Sequence, residues 1–164
     1  DDRADFLTPQ RFPAAEALIT GAVDVELRRL LVDAQTYIVL VTRGHHRDSA
    51  ALEAIIDRPA KYIGMIGSKR KVRTILGQLA EQGVPLESLA KVHAPIGLEI
   101  NAVTVDEIAL SIAAELVAVR RAAGAASGQP MKLSTTELNT WLDRNHLKDE
   151  SPTECSGSSP SGGG

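Results

Sequence analysis

The chain predicts an α/β fold: a mostly parallel sheet covered by helices on both faces. Three observations carry this. Tyr37–Thr42 and Tyr62–Ile66 are short, apolar and β-branched, as strands buried in a parallel sheet are. Each is followed by a segment whose apolar residues recur at helical spacing. Glycines stand at the junctions between them, and alternating strands and helices of this length imply right-handed βαβ crossovers.

Taken in order, Ala17–Thr20 is a short strand candidate closed by Gly21, and Asp24 can cap a brief helix through Leu27, Leu30 and Leu31. Tyr37–Thr42 reads as a central strand. Arg43–Arg47 is its carboxyl-end loop, and Asp48 caps a helix carrying Leu52, Ile55 and Ile56 that ends at Arg58-Pro59. After the buried strand at Tyr62–Ile66, Gly67 gives a sharp exit and Ser68 stands where an N-cap belongs. Val72, Ile75, Leu76 and Leu79 then form an apolar stripe. Gly83-Val84-Pro85 stops that helix. Pro85–Leu89 is a short helix, Lys91–His93 a short strand, and Ala94–Asn101 a loop too apolar to be freely solvated. Thr104 with Glu107 makes a capping box, and Ile108, Ile112 and Leu116 mark one face of the longest helix, running to about Arg121. Residues 123–133 read as a linker and 134–148 as an additional helix, capped by Ser134 with Glu137 and carrying Leu138, Trp141 and Leu142. Residues 149–164 form a Ser/Gly/Pro-rich tail expected to be disordered.

Composition narrows the function classes. With 164 residues, 43% hydrophobic and 24% charged, one domain with a proper core is expected. A net charge of −3 argues against general nucleic-acid binding, since the basicity is local. The single Cys155, in the tail, allows neither an internal disulfide nor a cysteine-based metal site and suits a reducing cytosol. No run approaches the ~20 apolar residues of a membrane span, and no signal peptide opens the chain. It starts without Met and reads as the middle of a longer protein.

The local basicity lies at Lys69, Arg70, Lys71 and Arg73, in the first turns of the helix after Ser68. The helix macrodipole is already positive there, and acidic side chains would be preferred by roughly 0.3–1 kcal/mol each. Free backbone N–H groups, Ser68 and flanking cations together would hold a phosphate or carboxylate; the plain alternative is a solvated basic face. In open α/β sheets ligands bind off the carboxyl ends of the strands, so three loops should meet: Arg43–Asp48, Gly67–Arg70 and Ala94–Asn101.

Other constellations read more blandly. His45, His46 and Asp48, with His93, lack the spacing of a zinc site and read as loop histidines beside an N-cap acid, His45 remaining a candidate ligand contact. Neither a Gly-x-Ser-x-Gly elbow nor a Walker A loop is present, and Gly64-x-x-Gly67 lacks the dinucleotide spacing. Asp1 and Asp2 would occupy the place of a ribose-binding acid if they end a strand. Glu99, Asp106 and Glu115 read as a loop charge and helix-surface residues.

Five motifs in series closely resemble the C-terminal Rossmann-type domain of the XdhC/CoxI family, the accessory factors of xanthine dehydrogenase. They are Asp1-Asp2-Arg3 with Phe6 and Arg11-Phe12-Pro13; Thr42-x-Gly44-His45-x-x-Asp48; Tyr62 to Lys71; Ala94-Pro95-Ile96-Gly97-Leu98; and Glu107-Ile108-Ala109-x-Ser111-Ile112-x-x-Glu115. The resemblance covers about Asp1 to Arg121. It implies a three-layer Rossmann-like domain over 1–122, lacking its first strand, glycine turn and helix. It also implies a cytoplasmic, non-catalytic chaperone that holds molybdenum cofactor, as molybdopterin or its dinucleotide, assists its sulfuration with a cysteine desulfurase, and delivers it to a molybdenum hydroxylase of the xanthine dehydrogenase type. The cofactor-binding residues it implies are Asp1, Gly44, His45, Gly64, Gly67, Ser68, Lys69, Arg70, Arg73, Pro95 and Gly97. Asn101 and Val105 depart from the pattern, standing where glycine and proline are expected. Two other readings stay open: an NAD(P)-binding oxidoreductase, from the strand–helix alternation and Asp1, and a docking module without ligand. A sheet without its early strands would leave an unpaired edge, so self-association as a homo-oligomer, or pairing with an upstream piece, is expected.

Overall fold

The computed structural model describes residues 1–121 and 134–149; the linker at 123–133, the tail from 150 and Cys155 lie outside them. Eight elements follow in order: α1 (Val23–Arg29), β1 (Tyr37–Leu40), α2 (His45–Glu53), β2 (Tyr62–Met65), α3 (Lys69–Glu81), α4 (Leu86–Leu89), α5 (Val105–Arg121) and α6 (Thr135–Asp149).

The sheet is parallel. β1 pairs with β2 from Tyr37 opposite Tyr62 to Leu40 opposite Met65. On its other side β2 bridges His93: the His93 N–H donates to the Ile63 carbonyl at 2.8 Å and the Met65 N–H to the His93 carbonyl at 3.0 Å. β2 is therefore the central strand and is buried along its whole length. β1, expected to be central, has one neighbour among the described residues, and Val39 and Val41 remain exposed. The strand expected at Lys91–His93 shrinks to this single bridge, because the chain turns into the Ala94–Gly97 loop immediately after it.

Side-chain alternation builds three layers. Ile38, Leu40, Ile63 and Met65 face the main core, where Leu52 and Ile55 of the α2 region meet Val72, Ile75, Leu76 and Leu79 of α3. At about 25 cal/mol per Å² of apolar surface, this burial is the main term holding the sheet to its helices. Tyr37 and Tyr62 stack at 6.0 Å on the opposite face, which α5 covers through Ser111 and Glu115. Gly64 lies on that face too, and a Cβ there would stand 2.5 Å from Ile96 and 2.7 Å from the Tyr62 ring. α6 docks on α3: Leu138 is buried, and Trp141 sits so close over Gly77 that no side chain fits beneath it.

Local capping follows the sequence in three places. The Ser68 hydroxyl accepts from the Lys71 N–H at 3.2 Å. Thr104 and Glu107 exchange the two bonds of a capping box, as do Ser134 and Glu137. Both departures at 101 and 105 also find a reason. Asn101 adopts φ +56°, the left-handed region glycine enters most easily, and Val105 is the first helical residue of α5, where proline is well tolerated.

Elsewhere the expected boundaries move. Ala17–Thr20 is not a strand: its backbone contacts are a 3.4 Å bond from the Asp1 amino group to the Ile19 carbonyl and one from the Gly21 N–H to the Asp1 carbonyl, which make no ladder. Ala22, not Asp24, precedes α1, and Leu30 and Leu31 fall beyond its end. Gly44, with φ +99°, precedes α2, which places Asp48 inside the first turn rather than at the cap.

Candidate functional site

The carboxyl end of β2 feeds through Ile66 and Gly67 into α3, whose first turn carries the expected cationic cluster. The amides of Lys69 and Arg70 make no hydrogen bond to the described residues. They are the two donors that Ser68 leaves for a ligand. Lys71 is directed elsewhere: its ammonium pairs with the fully buried Asp48 of α2, whose other oxygen accepts from the Thr42 hydroxyl. A buried carboxylate without such partners would be strongly destabilising, so Lys71 belongs to the core. Arg73 and Lys69 lie close enough to α6 to influence Glu137, whose carboxyl is held below its ordinary range chiefly by the Ser134 N–H and hydroxyl, then by these two cations. The cluster is thus part structural, and Ser68, Lys69 and Arg70 form its exposed rim.

Ser68 borders two cavities. One, of about 400 Å³ and mostly apolar, lies between Gly67–Lys69 and the loop through Pro95, Leu98 and Ile100, with Ser111 at its base. The other, of about 560 Å³, is lined by the polar residues His46, Arg70, Lys71 and Thr74. The structure therefore brings the second expected loop against the third in one cavity and against the first in the other. Pro95, after a cis peptide, is buried and lines the apolar one. His45 opens α2.

The remaining expected residues do other work. Asp1 lies in a separate groove of about 250 Å³ beside β1 with Asp2, Thr42 and Arg47. Arg3 binds the Asp1 carboxylate at 3.0 and 3.1 Å while its guanidinium stacks on Phe6, and Arg47 binds Asp2 at 2.7 Å. Gly44 supplies the turn into α2, and Gly64 the close packing on Tyr62. Gly97, at φ +107°, admits Ser111 where a Cβ would stand 2.5 Å from its hydroxyl.

Glu115, expected on a helix surface, is only 1% exposed. It accepts from the Tyr62 hydroxyl at 2.8 Å and the Gly97 N–H at 2.6 Å on one oxygen, and meets His93 Nδ1 at 2.7 Å with the other. A carboxylate only accepts, so Nδ1 carries the proton. Burial pushes the Glu115 carboxyl up, but the bonds from His93, Gly97 and Tyr62 outweigh it and hold it below its ordinary value. Burial, then the Glu115 carboxylate, push the Tyr62 hydroxyl far up. This network locks the Ala94–Gly97 loop, one wall of the apolar cavity, to β2 and α5. Among the described residues no three His, Cys, Asp or Glu side chains gather as metal ligands, and no helix is long and apolar enough to cross a membrane.

Comparison with known proteins gives a consistent set. The family model of the XdhC Rossmann domain matches residues 1–116. The chain is 34% identical over 131 residues to the uncharacterized protein YqeB of Escherichia coli, covering 79% of this chain and 24% of that one. It is 26% identical over 121 residues to a probable xanthine dehydrogenase subunit from Bacillus subtilis, covering 74% and 34%. It is 30% identical over 89 residues to the molybdenum cofactor insertion chaperone PaoD of Escherichia coli, covering 54% and 28%. The crystal structure of a xanthine dehydrogenase from Bacillus halodurans superposes with a TM-score of 0.64 at 28% identity, over 77% of this chain and 35% of that one. The chain thus spans between about a quarter and a third of the length of these relatives.

Proposed function

Because the chain belongs to the XdhC family through its Rossmann domain, we propose that it acts as an accessory factor that binds molybdenum cofactor, assists its sulfuration with a cysteine desulfurase, and delivers it to a molybdenum hydroxylase. The observation that carries this reading is the position of Ser68 between an apolar cavity and a cationic one. Molybdopterin joins a flat heterocycle to a phosphate, and this pairing of surfaces suits both parts. Ser68, the Lys69 and Arg70 amides and their side chains would hold the phosphate, and Pro95, Leu98 and Ile100 would flank the ring system. Gly67 permits the close approach, and His46 borders the phosphate side. Bound there, the cofactor brings the redox-active metal that the target enzyme uses; the chain's own residues bind, orient and shield it. Gly44, His45, Gly64 and Gly97 act by shaping the loops and helix starts around this pocket, whereas Asp1 lies in the separate groove beside β1 and Arg73 lies towards α6.

The unpaired side of β1, with Val39 and Val41 exposed, supports pairing with another strand, from a second copy or from further sequence of the same protein. The test of the carrier role is molybdenum-cofactor retention by the purified protein and by Lys69→Ala/Arg70→Ala. The double variant should lose most of the cofactor while keeping its fold. Equal retention would remove the cradle from the account, and binding of the hydroxylase that persists after cofactor depletion would favour a docking module.

A further inference from the structure

The opposite end of the sheet holds a second charged cavity. It opens beside Tyr62, where β2 begins, has a volume of about 550 Å³, and is lined by Arg58, Lys61, Ser88, Lys91 and His93 against a single carboxylate, Asp57. Among the described residues, none of Arg58, Lys61 or Lys91 has a carboxylate within ion-pair distance. Arg58 donates to the carbonyls of Leu30, at 2.6 Å, and Arg28, which position its guanidinium without neutralising it. Lys61 Nζ lies 5.9 Å from the Tyr37 ring centroid, a weak contact that leaves its donors available.

His93 is the built part of this cavity. Its Nδ1 is committed to the buried Glu115, and its ring packs 4.5 Å from that of Tyr62, so the imidazole is fixed in tautomer and orientation with Nε2 as its remaining polar edge. A histidine backed by a buried carboxylate beside three uncompensated cations is more than a solvated basic face requires.

We propose that this amino-end cavity is a second binding site, for a small-molecule oxyanion carrying two or more negative charges, of the phosphate or polycarboxylate class. Lys61, Lys91 and Arg58 supply the attraction, Ser88 donates a hydrogen bond, and His93 Nε2, the unprotonated nitrogen of the tautomer that Glu115 fixes, accepts from an O–H of the ligand, as a hydrogen phosphate or a hydroxy acid carries. The site stands apart from the Ser68 cradle, which lies past the carboxyl end of β2, and the two can be read separately in one experiment.

The test is an NMR titration of the ¹⁵N-labelled full chain with inorganic phosphate and, in a second arm, citrate, at ionic strength held constant with KCl. Saturable shifts are expected at the amides of Lys61, Lys91 and His93. Lys61→Ala/Lys91→Ala should weaken this binding at least tenfold and leave any shifts at Ser68–Arg70 in place; His93→Gln should weaken it severalfold, with its own spectral changes centred on Tyr62, Gly97 and Glu115. Tighter binding in the phosphate arm assigns the phosphate class, and tighter binding of citrate the polycarboxylate class. The proposal is overturned if neither anion gives saturable shifts at these amides, if KCl alone reproduces them, or if Lys61→Ala/Lys91→Ala leaves them unchanged.

Discussion

Replacing Glu115 by Gln keeps its volume and removes its charge, and the network states what should follow. Three donors converge on the carboxylate: the Tyr62 hydroxyl at 2.8 Å, His93 Nδ1 at 2.7 Å and the Gly97 N–H at 2.6 Å. A glutamine offers one accepting oxygen, turns its other terminus into a donor and carries no charge, so His93 Nδ1 must either give up its proton and accept or face another donor, and the bonds that remain are neutral ones in a buried site. A net hydrogen bond to a charged group contributes about 1.5–3 kcal/mol, and losing or weakening two of the three gives roughly 3–6 kcal/mol of destabilisation. Against total stabilities of about 5–15 kcal/mol, that brings the domain near unfolding at room temperature. Urea denaturation followed by far-ultraviolet circular dichroism should show the midpoint falling sharply at unchanged slope. Tyr62→Phe should cost about 1.5–3 kcal/mol, and the double variant less than the sum, because the two groups share one bond. The exposed acid Asp106, changed to Asn, should stay within about 0.5 kcal/mol. A Glu115→Gln protein within about 1 kcal/mol of the parent would refute the reasoning.

Other outcomes follow from the same contacts. Glu115 titrates below its ordinary 4.5 in the folded chain, so its contribution is present above pH 4.5 and is lost as pH falls through the folded value. Tyr62 is raised above its ordinary 10.0, so its contribution is present below pH 10 and is lost as pH rises. Urea midpoints should fall on both sides of that window, and Tyr62→Phe should flatten the alkaline side. Lys71→Met leaves Asp48 buried without its counter-ion and should cost about 3–5 kcal/mol by urea denaturation, whereas Lys69→Ala/Arg70→Ala should leave stability nearly unchanged. Gly77→Ala places a methyl where Trp141 packs and should cost about 1–3 kcal/mol, with a red-shifted emission from this single tryptophan as α6 is pushed outward.

What the sequence revealed was chiefly what is decided locally. Ser68, Thr104 with Glu107, and Ser134 with Glu137 cap helices through bonds spanning three residues, and the Val72–Leu79 stripe is buried as its period requires. The misreadings concern long-range partners. Asp48 resembles an N-cap because its neighbours are loop-like, yet its fate is set by Lys71 in the next helix and by Gly44, which takes over the turn. Ile108, Ile112 and Leu116 suggest one buried face of α5, but the most deeply buried line runs through Ser111 and Glu115. The acid is tolerated there only because Tyr62, His93 and Gly97 bring donors from distant segments. The spacing of Ser111 and Glu115, one helical turn apart, was the available signal. β1 reads as central from Val39 and Val41, β-branched residues that fit a buried strand as readily as the edge position β1 takes among the described residues. Of the residues expected at the site, Gly67, Ser68, Lys69, Arg70 and Pro95 line the two cavities that meet at Ser68, while Asp1 lines a separate groove.

The central claim is that the rim of α3 seats the anionic end of molybdenum cofactor, and equilibrium titration of the full chain with molybdopterin tests it most directly. Removing two charge-assisted contacts at about 1.4 kcal/mol per tenfold should raise the dissociation constant of Lys69→Ala/Arg70→Ala by roughly ten- to a hundredfold, with Lys61→Ala/Lys91→Ala unaffected. A dissociation constant identical in the parent and the Lys69→Ala/Arg70→Ala protein would contradict the claim.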